Sequence, residues 1–441
     1  MRLLTSAVSA LAFCVLCPAQ TYFSDPPPDA PELAPRGAYK VGVRTIELVH
    51  PDQVDILHFD KATGKAPLSD RKLKVEIWYP AIIPAGKEER TVYATTVPGT
   101  NHSSELTGEA LRDAEPVTGE KFPLVVVSHG YPGSRTFLSY LTENLASKGY
   151  VVAAIDHTDS VAGAVKGFES TLLNRSSDQL FTIHELSTDS KIFVAGLVDT
   201  GKVAIVGYSM GGYGALTSAG AGLSKKSGLM GFVPGGYLED WTADSPKYQA
   251  RDRSSIKAVV AIAPWGEQPP QNAWDRQGLA GIHIPSLFIA GDHDDVADFE
   301  HGVKPAFEQA VNSERYMLVY ENARHNTGGN PPVPGDVLDY RGIESLDEPV
   351  WRKERIVEIN QHFITAFLDL YLKGIENRGA YLHVPTVKSN DAKWQVTPGP
   401  HDDSVKSTGV DAQGNPFWKG FQRRWALGLE MYYLPAAKAA R

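Results

Sequence analysis

Four runs along this chain are apolar almost without interruption: Leu124 to Ser128, Val151 to Ile155, Val203 to Gly207 and Ala258 to Ala263. A strand with one wet face alternates apolar and polar residues, because successive side chains point to opposite sides. A strand that is apolar at nearly every position must be covered on both faces, and a parallel sheet flanked by helices provides that cover. Segments with helical spacing lie between the runs, at Phe137 to Lys148 and Gly211 to Ala221, and another, Val296 to Val311, follows a further run at Ser286 to Ala290. Strand and helix alternating in this way is the βαβ signature. Val41 to Val49 and Leu73 to Tyr79 alternate as an antiparallel edge does, and Tyr316 to Tyr320 completes the set. The fold class predicted is α/β, with a mostly parallel central sheet of about eight strands between layers of helices.

One domain over residues 39–375 accounts for these runs. Ile356, Ile359, Phe363, Phe367, Leu370 and Tyr371 mark one face of a helix that stops at Gly374, which fits a helix lying on the sheet. Three stretches break the repeat, Thr158 to Thr200, Gly222 to Ser255 and Asn326 to Glu348, and are expected to be insertions over the face where strands end. Residues 20–38 carry the proline-rich SDPPPDAPELAPR and are expected to be an extended leader without structure of its own. Residues 376–441 show no period and receive no role. At the start, Arg2 precedes an apolar run from Leu3 to Leu16, and Cys17-Pro18-Ala19 offers a cut after Ala19. The run is short for a membrane span and reads as a secretory signal over residues 1–19, so a secreted or periplasmic protein without stable membrane insertion is expected. Cys14 and Cys17 both fall within it, leaving neither a disulfide nor a thiol nucleophile downstream. With 43 Lys and Arg against 52 Asp and Glu, a net charge of −9 and no basic run, the chain lacks the electrostatic footprint of a nucleic-acid binder.

The sharpest chemical signal is Gly207-Tyr208-Ser209-Met210-Gly211-Gly212, directly after the apolar run VAIV and before a helix of small residues. G-x-S-x-G in that setting has the form of a nucleophile elbow, in which a tight strand-to-helix turn lifts the serine hydroxyl above the sheet. Such a serine needs a base, and the base needs a carboxylate to orient it, in the chain order serine, acid, histidine. Asp292, Asp294 and Asp295 follow the strand IPSLFIA and compete for the acid. His325 follows the next strand, YMLVYENA, and is the candidate base. Ser128-His129-Gly130-Tyr131 follows FPLVVV, where the loop supplying an oxyanion-hole N–H belongs. The N–H groups of Tyr131 and Met210 are the expected pair of donors. Asp292, Asp294, Asp295 and Asp298 lie close to His293 and His301, but their spacing fits no standard metal loop, so neither metal nor cofactor is expected.

HGYPGSRTF, GYSMGGYGAL, IAGDHDDVAD and NARHNT resemble the corresponding segments of α/β-hydrolases of the dienelactone-hydrolase-like group, in particular the platelet-activating-factor acetylhydrolases and the cutinase-like polyester hydrolases. The likeness runs from about Phe122 to Asn326. It implies the α/β-hydrolase fold, with Ser209 as nucleophile, Asp294 as acid, His325 as base, and Tyr131 with Met210 as the oxyanion hole. Ala263-Pro264-Trp265 is similar to the polyester hydrolases' cleft tryptophan, so Trp265 is expected to contact substrate, with Tyr131 as a second aromatic wall. True dienelactone hydrolases carry a cysteine where this chain has serine, so lactone chemistry is not implied. The expected activity is hydrolysis of small to medium, flat carboxylic esters, with polyesters or phospholipid acetyl esters as alternative substrates. Acyl transfer by the same triad and a non-catalytic binding module are the rivals. The first two insertions lack the continuous apolar face of a lipase lid, so interfacial activation is not expected.

Overall fold

The computed structural model describes residues 26–391, 418–422 and 424–437. Its main sheet has 11 strands, more than the eight expected. β1 (Val41–Val54) and β2 (Leu68–Ile82) form a long antiparallel pair, and a hairpin of β3 (Thr91–Thr96) and β4 (Ser103–Gly108) stands outside the sheet. The two-residue strands β5 (Leu111–Arg112) and β6 (Glu115–Pro116) join β1 and β2. The parallel centre comprises β7 (Phe122–Ser128), β8 (Val151–Asp156), β9 (Val198–Tyr208), β10 (Ile256–Ile262), β11 (Ser286–Gly291) and β12 (Arg315–Tyr320). The extra strands went unread because β5 and β6 are too short to leave a pattern. The last, β13 (Leu429–Leu434), lies far down the chain in the stretch that showed no period and caps β12 in antiparallel register.

Alternate residues of the central strands serve different layers. Val125 and Val127 of β7 and Val206 of β9 pack with α1 (Ser139–Ser147). Their neighbours Val126 and Ile205 face the opposite layer with α2 (Phe168–Thr188) and α3 (Met210–Ala219). The short helices α4 (Pro246–Gln249), α5 (Arg276–Leu279) and α6 (Lys304–Gln309) line the connections beyond, and α7 (Tyr340–Leu346) sits in the third insertion. α8 (Lys353–Lys373) ends at Gly374 in the left-handed region and packs on α1, as its apolar face predicts. The stretch from Thr158 to Thr200 is built around α2, the ordinary crossover helix between β8 and β9. Its buried face includes Ser170, Asn174, Arg175 and Asp178, which hid the helical period.

The leader differs most from expectation. From residue 26 onward it is seated on the domain, with Ala30, Leu33 and Ala34 buried. The Leu33 N–H donates to His362 Nδ1 at 3.1 Å, Asn144 donates to the Ala34 carbonyl at 2.8 Å, and Lys148 donates to the Leu33 carbonyl at 2.5 Å. Pattern reading missed it because these bonds go to side chains on α1 and α8, distant in sequence. The apolar run read as a secretory signal lies outside the described residues. Among the described residues no helix is long and apolar enough to cross a membrane.

A buried acid ties the hairpin to this frame. Glu143 on α1 accepts from Tyr93 Oη at 2.6 Å and from the Glu109 N–H at 2.9 Å. Burial raises its carboxyl to about 7, against the lowering pull of those two donors. A folded-state value above the unfolded one gives stability that is present at low pH and lost as pH rises through about 7. Glu143→Gln removes that dependence, so the variant should gain on the wild type in melting temperature between pH 5 and pH 8. Parallel melting profiles across that range would show that Glu143 does not titrate there.

Candidate active site

β7 and β9 are neighbours in the sheet, with β8 on one side and β10 on the other, so the loops leaving their ends diverge and open a crevice. Ser209 stands at the end of β9 with φ 54° and ψ −116°, in a region non-glycine residues rarely adopt. A Cβ at Gly207 would lie 2.1 Å from the Gly211 carbonyl oxygen, and one at Gly211 would lie 2.0 Å from that of Ser128. The two glycines are therefore demanded by close backbone approach, as the elbow motif requires.

The structure brings the three expected side chains together. Ser209 Oγ lies 2.9 Å from His325 Nε2, and His325 Nδ1 lies 2.9 Å from both carboxylate oxygens of Asp294. An ionised Asp294 accepts from Nδ1–H, which leaves Nε2 bare toward the serine. Burial works to raise the Asp294 carboxyl, but the facing His325 and the N–H groups of Ala297 and Val296 outweigh it and hold it below the usual range. Its neighbours are engaged elsewhere. Asp292 accepts from the Asn322 N–H at 2.6 Å, Asp295 pairs with Arg324 at 2.5 Å, and Asp298 accepts from the His301 N–H at 3.0 Å.

Several residues that carry no motif complete the site. Glu348 accepts from the N–H groups of Arg324 and Asn326, each at 2.7 Å, and so clamps the backbone on both sides of His325. Lys353 donates to the Asn326 carbonyl from the start of α8. No spacing rule links Glu348 to a histidine 23 positions earlier, so only the folded loop reveals it. Met210 opens α3, where the first N–H groups lack an intrahelical acceptor, and Tyr131 lies in the loop after β7.

A cleft of about 290 Å³ lies against Ser209 and His325, with Tyr131, Phe137 and Tyr208 in its walls and Pro98 of the β3–β4 hairpin above. Glu344 and Ser345 of α7 line its far side, so the third insertion does border the site. A larger hollow of about 410 Å³, beside Tyr248 and Arg253, contains none of these groups and has no claim on the chemistry. Trp265 is not in the wall of the cleft. Its N–H donates to the Ser209 carbonyl at 3.1 Å, and its ring meets Phe168 edge-on at 5.5 Å. Phe168 in turn meets Tyr131 at 5.1 Å, so the two expected aromatic walls are joined by a third ring that the sequence did not mark.

Comparison with known proteins finds family likeness on both sides of Ser209. Residues 92–194 match the family model for platelet-activating factor acetylhydrolase, isoform II, and residues 242–332 match that for PET hydrolase-like proteins. The loop after β7 lies in the first match and Trp265, Asp294 and His325 in the second, while Ser209 falls between them. Cutinase est1 of Thermobifida alba is 24% identical over 48% of this chain and 55% of its own length. Platelet-activating factor acetylhydrolase of Canis lupus familiaris is 50% identical over 52 residues, 12% of each chain. The chain thus spans about half the length of the cutinase it matches. A ferulic acid esterase structure from Streptomyces cinnamoneus superposes with a TM-score of 0.54 at 21% identity, covering 80% of this chain and 93% of the other, and shows the shared fold.

Proposed function

We propose that this chain, an α/β-hydrolase resembling platelet-activating-factor acetylhydrolases and cutinase-like enzymes, hydrolyses small to medium carboxylic esters through an acyl-enzyme on Ser209. The observation that carries the reading is the unbroken contact from Ser209 Oγ through His325 to Asp294 at the edge of a cleft. Ser209 Oγ attacks the ester carbonyl while His325 Nε2 takes its proton. The oxygen of the tetrahedral intermediate is held by the N–H groups of Tyr131 and Met210. His325 then returns the proton to the departing alcohol, and a water deprotonated by the same nitrogen cleaves the acyl group from Ser209. Asp294 keeps the imidazole in the required tautomer. Every proton and charge in this cycle is handled by side chains and peptide N–H groups.

Tyr131 in the cleft wall, backed by Phe168, supports a preference for flat groups, since a ring contact adds about 1 kcal/mol, or roughly fivefold. Comparing kcat/KM for aryl esters, short alkyl esters, emulsified triglyceride and polyester film tests this. An aryl preference that falls up to about fivefold in Tyr131→Ala and less in Trp265→Ala, which reaches the cleft only through Phe168, is expected. Best turnover on the emulsion, or an unchanged aryl-to-alkyl ratio in both variants, would refute it.

A further inference from the structure

The domain contains a second Ser–His–Asp array. Ser128 Oγ lies 2.8 Å from His157 Nε2, and His157 Nδ1 lies 2.8 Å from Asp178 Oδ2. These spacings match those at Ser209, yet the setting differs in every respect that matters for reaction. Ser128 and Asp178 are fully buried and His157 is 1% exposed, so no substrate reaches the hydroxyl. Arg71 grips both oxygens of Asp178 at 2.6 and 2.8 Å, consuming the charge that would support an imidazolium. Burial, then the charges of Arg175 and Arg71, push the His157 imidazole well below its usual range, so it stays neutral. A neutral ring donates from Nδ1 to Asp178 and accepts the Ser128 hydroxyl at Nε2. Nothing in this array is poised to move a proton.

Its position explains what it holds. Ser128 ends β7, and the next three residues form the loop that carries the Tyr131 N–H. His129 Nδ1 donates to the Gly130 carbonyl at 2.7 Å. In a trans peptide the C=O and N–H point in opposite directions, so fixing the Gly130 carbonyl fixes where the Tyr131 N–H points. Arg175 donates to the His129 carbonyl at 2.7 Å and to Ser160 Oγ at 2.6 Å, while the Ser160 carbonyl accepts from Gly133 N–H at 3.0 Å. The elbow rests on the same peptide, since Gly211 has room for no side chain between itself and the carbonyls of Ser128 and His129.

We propose that Ser128, His157 and Asp178 form a positioning array that sets the oxyanion loop against the Ser209 elbow through the end of β7. It rests on the ester-hydrolase reading and adds residues that touch neither substrate nor the reacting atoms. Losing one oxyanion donor costs about 10²- to 10³-fold in kcat, and a donor displaced rather than removed should cost about 10- to 100-fold. Because sulfur is larger and a weaker acceptor than oxygen, a well-placed N–H pair favours an ester over its thionoester, and displacement erodes that preference.

The test measures kcat, KM and the ester-to-thionoester ratio for wild type, Ser128→Ala, Ser128→Thr and His157→Gln, with thermal melts to verify folding. Ser128→Ala and His157→Gln should lose at least tenfold in kcat with KM within twofold, and the ratio should fall several-fold. Ser128→Thr, which keeps the hydroxyl, should restore both. Should Ser128→Ala fail to fold, His157→Gln carries the same reading. A folded Ser128→Ala or His157→Gln with unchanged kcat and ratio overturns the array, as does a folded Ser128→Thr no better than Ser128→Ala. Failure of the wild type to turn over the ester would instead overturn the hydrolase reading, and the array with it.

Discussion

Replacing Ser209 with alanine should lower kcat/KM for a soluble ester by about 10⁴- to 10⁶-fold and abolish labelling by a fluorophosphonate. The size follows from the way a triad acts: once the nucleophile is gone, His325 and Asp294 have nothing to activate, and only binding and the oxyanion donors remain. The melting temperature should move little, because alanine at φ 54° suffers much the same backbone strain as serine. Mass spectrometry of the labelled wild type should place the adduct on Ser209. Retained turnover in Ser209→Ala, or an adduct on another residue, would remove the basis of the mechanism.

The second large effect separates three neighbouring acids. Asp294→Asn should lose about 10⁴-fold in kcat, because an amide nitrogen facing Nδ1 would place the ring proton on Nε2, where it blocks acceptance from Ser209. Asp295→Asn breaks an exposed pair with Arg324 worth about 0–1 kcal/mol and should leave kcat within a few-fold. Asp292→Asn keeps an amide oxygen that can accept from the Asn322 N–H and should likewise act mildly, through the loop between β12 and His325. The order of the three variants decides the assignment: near-normal turnover by Asp294→Asn with collapse in either neighbour would transfer the role.

Much of the centre was legible because local pattern and tertiary demand agree there. VVV, VVAAI and VAIVG are apolar because both faces are covered, and Gly207 and Gly211 flank Ser209 because neighbouring backbone leaves no space for a Cβ. Ser209 and His325 could be picked out from strand ends alone, whereas choosing Asp294 needed the resemblance, since three adjacent aspartates look alike in one dimension. Polar burial was not legible. α2 turns Asn174, Arg175 and Asp178 inward, so its apolar stripe is broken and it passes for a loop. Glu348, His157 and Phe168 act through neighbours distant in sequence and carry no local signature.

The seating of the leader ties together segments from opposite ends of the described chain. The Glu32 N–H donates to the Gly420 carbonyl at 2.8 Å, and Gln422 donates to the Pro28 and Ala30 carbonyls at 2.9 and 3.1 Å. These contacts join residues almost 400 positions apart, so the loop that must close before they form is nearly the longest the described chain allows. During synthesis residues 28–32 emerge early, and these bonds can form only after residues 418–422 follow. In hydrogen exchange the Glu32 amide should therefore open well before those of β9, so that the seam closes last in folding and yields first in unfolding.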